Sequence, residues 1–130
     1  MENVKMFVNG QAMSGGSING MLGRATFLGE ASTAARYRFY SVRAEFPGLS
    51  PVESSGRSIR GELYEVSYDI LRRSLLPAEP AELELTVIEL NDGTGSLSMA
   101  IRREALNAPG VVDITDFGGW RNYLKTRPTK

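Results

Sequence analysis

Glu79 stands between Ala78 and Pro80, just after a helical stretch. A carboxyl held in so stiff a turn is placed to act as a general acid/base once burial raises its pKa toward neutrality. Glu82 is the neighbour able to take the same role, and both positions also fit ordinary exposed loop acids. A second chemical element is Asn9-Gly10-Gln11-Ala12-Met13, which follows the apolar run Val4–Val8. After a strand, successive loop N–H groups can converge into an anion-binding nest, although Gly10, Gly15 and Gly16 also suit plain tight turns. Arg24, Arg36, Arg38 and Arg43 offer guanidinium forks for a carboxylate, or simply solvated strand positions. Glu62 sits mid-strand opposite Leu63, where it can point into an interior, though surface placement is the expectation.

The chain excludes more than it offers. It has 130 residues with no histidine and no cysteine. That removes Cys/His zinc sites, thiolate nucleophiles and a histidine base for a serine triad. No metal or cofactor is implied. Lys+Arg 15 against Asp+Glu 15 gives no net field to draw nucleic acid or an acidic membrane. There is no apolar run near 18 residues and no leader-like pattern in Met1–Lys5. With no cysteine to oxidise, a cytoplasmic location is expected. A chain of this length fits one domain, residues 1–130, and can bury a sizeable core.

The elements that must position these groups follow from periodicity. Strands are predicted at 4–8, 25–33 (broken by Gly29), 37–42, 57–66, 83–90 and 97–101. Residues 10–29 read as a glycine-rich loop with a short helical turn at 19–24. Ser67 is a plausible N-cap for a helix carrying Ile70, Leu71, Leu75 and Leu76, ended by Pro77 and Pro80. Asn91-Asp92-Gly93 joins two strands as a hairpin. Phe46 to Pro51 reads as a turn-rich connection and Asn107 to Gly110 as a linker. Asp113 with Asp116 gives a capping-box-like start to a last helix. Phe117, Trp120 and Leu124 share one stripe of that helix, and the two aromatics read as core rather than as ligand-stacking residues. About six strands with two or three short helices at separated points argue for an α+β fold built on a small, closed or nearly closed mixed barrel.

Several of these stretches, taken together, resemble the gamma-glutamylcyclotransferase-like superfamily, and within it the C-terminal domain of allophanate hydrolase. They are Asn9-Gly10-Gln11-Ala12 in the anion-loop slot, Phe27 to Thr33, Tyr37-Arg38-Phe39-Tyr40, Pro47-Gly48-Leu49, Gly61-Glu62-Leu63-Tyr64 and Ile114 to Leu124. The last of these is the most specific. The resemblance implies a cavity at the first loop, with Asn9, Gly10, Gln11, Ala12, Met13, Tyr37 and Arg38 binding a small carboxylate-bearing metabolite. It implies a post-helix glutamate as acid/base, which here falls on Glu79 or, failing that, Glu82. The implied chemistry is action on an N-carboxycarbamate-type compound of urea metabolism. The alternatives are gamma-glutamylcyclotransferase release of 5-oxoproline and a non-catalytic subunit serving a separate amidase. A homodimer is compatible with any of these. Gly118 and Gly119 are expected where the last helix meets the barrel, so that Gly119→Val overpacks.

Overall fold

The computed structural model describes residues 3–126. Met1 and Glu2, part of the stretch read for a leader, lie outside them. Eight strands form one curled mixed sheet: β1 (Asn3–Val8), β2 (Thr26–Ser32), β3 (Tyr37–Val42), β4 (Phe46–Pro51), β5 (Arg60–Ser67), β6 (Leu83–Glu89), β7 (Gly95–Ile101) and β8 (Val111–Asp113). Their order is β2-β5-β1-β7-β4-β3-β8, with β6 paired to β7. The α+β half-barrel agrees with the fold class read from the sequence.

The organising strand is β7. One edge pairs with β6 along its whole length, from Leu83↔Ile101 to Glu89↔Gly95. The other edge is divided: β1 touches it at Met6↔Leu97 and β4 at Leu49↔Ala100, both parallel and one pair each. Beyond these pairs β1 and β4 diverge, and the gap between them is where the site forms. Met6, Phe7, Phe39, Leu49, Ile59 and Leu75, all fully buried, belong to the core. No helix of the described residues is long and apolar enough to cross a membrane.

Two strands depart from the sequence reading. Pro47 and Pro51 make β4 look like a turn, since proline cannot donate to a ladder. It persists because its β7 side needs only one pair, while its β3 side runs from Tyr37↔Pro51 to Val42↔Phe46. The second, β8, is three residues long and pairs only with β3.

Ser67 does cap the helix that follows, accepting from the Ile70 N–H at 3.1 Å. This helix, residues 68–78, does not stop at Pro77. Its middle, Leu71–Leu75, widens to π geometry, with the Leu76 N–H reaching Leu71 O. Pro77 has no N–H for the carbonyl four residues back and its ring crowds it, so widening the preceding turn relieves both problems. The helix ends at Glu79, which is extended.

The last helix starts later than the sequence suggests. Asp113 lies two residues before a short 3₁₀ turn, Thr115–Phe117, and accepts from the Thr115 N–H at 2.9 Å. The helix itself is Trp120–Lys125. Its buried stripe is Trp120 and Tyr123, while Phe117 and Leu124 are exposed. Gly118 lies in the left-handed region (φ 74°) and its carbonyl accepts from the Arg60 N–H at 2.8 Å. Gly119 is extended, and an added Cβ would meet only ordinary contact, 3.4 Å from the Arg60 Cβ. The overpacking expected at Gly119 is therefore not supported; the backbone demand sits at Gly118.

Candidate functional site

The gap between the ends of β1 and β4 is closed by the loop Asn9–Ala12 on one side and Phe46-Pro47 on the other. Gly10 packs so closely that a Cβ there would lie 2.4 Å from Pro47 Cδ. Below them remains a small cavity of about 20 Å³, floored by Phe7, Leu83 and Met99 and walled by Glu79. That is room for about one water.

Three features of this cavity are chemical. The Glu79 carboxyl has no hydrogen-bond or ion-pair partner among the described residues, and burial pushes its pKa up to about 7. Asn9 is only 8% exposed and its Nδ2 is buried without an acceptor. A buried donor left unpaired costs about 1–3 kcal/mol, so this amide gains from any acceptor brought to it. No bond among the described residues occupies the N–H groups of Gly10, Gln11 or Ala12, whereas Met13 N–H is spent on Gly10 O at 3.1 Å. The run of unspent N–H groups is thus shorter than the sequence implied and ends before Met13.

The other expected residues are not brought here. Tyr37 is buried on the far side, its hydroxyl accepting from the Glu89 N–H at 2.8 Å. Arg38 grips Asp113 through Nε and Nη2 at 3.1 and 2.9 Å. Arg36 pairs with Glu89, and Arg43 with Glu45 and Glu82. Arg24 is exposed. Glu82 lies outside the cavity, and the Arg43 guanidinium holds its carboxyl below the ordinary value. That is the wrong direction for an acid/base at neutral pH. Of the two candidate glutamates, the structure brings only Glu79 to the loop.

Glu62, expected at the surface, is instead buried and binds the first loop from beneath. Its Oε1 accepts from the Ser14 N–H (2.7 Å), the Ser14 hydroxyl (3.0 Å) and the Tyr64 hydroxyl (3.2 Å). Its Oε2 accepts from Arg121 Nη2 at 3.0 Å, and the same nitrogen reaches Ser14 O at 2.8 Å. Asn19 completes the net through Ala12 O and the Tyr64 hydroxyl. Burial alone would raise the Glu62 pKa; the Ser14 N–H and Arg121 outweigh it and hold the carboxyl below its ordinary value. The available signal was spacing: Glu62, Tyr64 and Val66 share one strand face, and the last two are buried.

Comparison with known proteins places the fold in a family. The profile of the allophanate hydrolase C-terminal domain matches residues 4–125. The chain belongs to that family. Urea amidolyase of Saccharomyces cerevisiae is 27% identical over 130 residues, 95% of this chain but 7% of that protein. The chain thus spans a small fraction of the curated relatives it matches. Kluyveromyces lactis allophanate hydrolase superposes with a TM-score of 0.89 at 28% identity, over 97% of this chain and 22% of that one. A uropathogenic E. coli-specific protein also gives 0.89 at 28% identity, covering 98% of this chain and all of the other. An aig2-like protein from Mus musculus shares the fold at a TM-score of 0.60 and 21% identity, over 84% of this chain and 82% of that one.

Proposed function

We propose that the cavity at the β1 loop takes a small carboxylated amide of the N-carboxycarbamate type, with Glu79 as the general acid. The observation that carries this is Glu79 itself, a carboxyl with no partner among the described residues whose pKa stands at about 7, facing the unspent N–H groups of Gly10–Ala12 and the orphaned Asn9 amide. One substrate carboxylate sits on the loop N–H groups and Asn9 Nδ2. The C–N bond to the other carboxylate breaks, CO₂ leaves, and the bonding pair stays on nitrogen, which takes the proton of Glu79. The product is carbamate, and solvent reprotonates Glu79. A carboxyl with a pKa near neutrality is suited to this, being protonated in a large fraction of molecules yet still a competent donor.

The cavity holds about one water, so room for the substrate requires the Gly10–Ala12 loop to lift away from Pro47. The test is turnover of an amidase-coupled allophanate mixture, followed as CO₂ release. Glu79→Gln is expected to lower turnover by about 10²–10⁴-fold, the usual worth of a positioned acid, and wild-type activity to fall as pH rises above about 7. Equal activity in the Glu79→Gln variant would remove Glu79 from the mechanism. Turnover of gamma-glutamyl amines to 5-oxoproline alone would replace this substrate by the cyclotransferase one. Carboxylate binding without turnover on either set would assign the domain an accessory role.

A further inference from the structure

On the opposite side of the first loop lies a second, larger hollow of about 200 Å³, between β5 and the last helix. Its floor is Gly61 and Gly119, its back is Trp120, and its rim carries Arg60, Arg121 and Lys125 against one carboxylate, Glu30. Arg60 and Lys125 have no side-chain hydrogen bond or ion pair among the described residues. Arg121 spends only Nη2, on Ser14 O and Glu62, which leaves its Nε and Nη1 free. Glu30 has no ion pair among the described residues either; with Arg121 matched by Glu62, Arg60 and Lys125 against Glu30 leave the hollow a surplus of one positive charge. Guanidinium forks meet the planar geometry of carboxylates and phosphates with paired hydrogen bonds.

We infer that this hollow is a binding site for a small polyanion, with two or more carboxylates or a phosphate bridging Arg60, Arg121 and Lys125. It is separate from the Glu79 cavity and does not depend on the function proposed for that cavity. An anion here lies beside the guanidinium that fastens Ser14, so occupancy is expected to reach the Ser14 amide as well.

The experiment is amide NMR titration of the full chain with citrate, malonate, inorganic phosphate and acetate at low ionic strength. Saturable shifts at the Arg60, Gly119 and Asn122 amides are expected with the polyanions and not with acetate. Citrate against phosphate separates the carboxylate source from the phosphate source. Arg60→Ala combined with Lys125→Ala should weaken binding by about tenfold or more. Arg24→Ala, which removes an exposed cation elsewhere, should leave it unchanged. Shifts that do not saturate, that spread over every basic residue, that survive the double variant, or that appear only at Gly10–Ala12 would each overturn the proposal. Both rim substitutions are at exposed side chains, so a folded double variant is expected, and its amide spectrum checks this directly.

Discussion

Glu62 and Glu79 are the same side chain on two sides of one loop, and the fold treats them oppositely. Glu62 collects four hydrogen bonds from Ser14, Tyr64 and Arg121, which hold its pKa below the ordinary value against the pull of burial. Glu79 collects none among the described residues and is pushed up to about 7. A buried carboxylate with its lone pairs satisfied is a fastener, because its charge is already matched. One left unmatched keeps a proton to give. The contrast separates what holds the loop from what the loop presents.

The comparison breaks most visibly at Glu62. Glu62→Gln removes the charge from Arg121 and replaces two accepting oxygens by one, so a loss of about 2–4 kcal/mol is expected. That corresponds to a melting temperature lower by on the order of 10 °C. Faster amide exchange at Ser14 should accompany it. A variant that melts with the wild type would show that the net is not holding the loop.

A smaller and opposite effect is expected at Glu79. Because its pKa is raised in the folded state, the fold favours the protonated form. The associated stability is fully present below the ordinary value of 4.5 and is lost as pH rises through about 7. Glu79→Gln has no such loss. Relative to wild type it should gain about 1–3 kcal/mol between about pH 4.5 and pH 8, read from denaturant midpoints at the two pH values. Glu62 has the reverse sign: its contribution is present above the ordinary carboxylate pKa and is lost as pH falls below it. A flat difference between wild type and the Glu79→Gln variant across this range would remove the unmatched-carboxyl reading.

The smallest expected difference sharpens the picture of the far end of the same network. Gly118→Ala forces a Cβ into the left-handed region at φ 74° and should cost about 1 kcal/mol. Gly119→Ala, in extended backbone with ordinary contacts, should stay within about 0.5 kcal/mol of wild type. Equal losses at the two positions would mean that contacts, not φ, decide there.

Much of this was legible before any coordinates. The hairpin at Asn91-Asp92-Gly93, the Ser67 cap and the placing of Glu79 beyond its helix all depend on local chemistry, and each appears as read. The Asn9–Ala12 stretch was legible as a loop, but not the loss of the Met13 N–H to it, since the competing acceptor is a carbonyl of the same turn. Glu62 was not legible, because its donors come from residues 14, 64 and 121. No local window contains that sum, and an acid in a strand defaults to the surface. Tyr37 and Arg38 failed in the same way: their partners, Glu89 and Asp113, lie across the sheet. In β4, the prolines masked a strand that only its neighbours on both sides could sustain.

The divided edge of β7 has a kinetic consequence. The β1 side of that seam is stitched by Ser98 Oγ donating to Phe7 O at 2.8 Å, across 91 residues of chain. Contacts so distant repay their loop-closure entropy late, while the β6–β7 hairpin and the β3–β4 pair can form locally and early. The seam is therefore expected among the last parts of the molecule to zip and among the first to part, with an opening free energy well below that of global unfolding. The Glu79 cavity lies on this seam, so the path by which a substrate would enter coincides with the final step by which the chain folds.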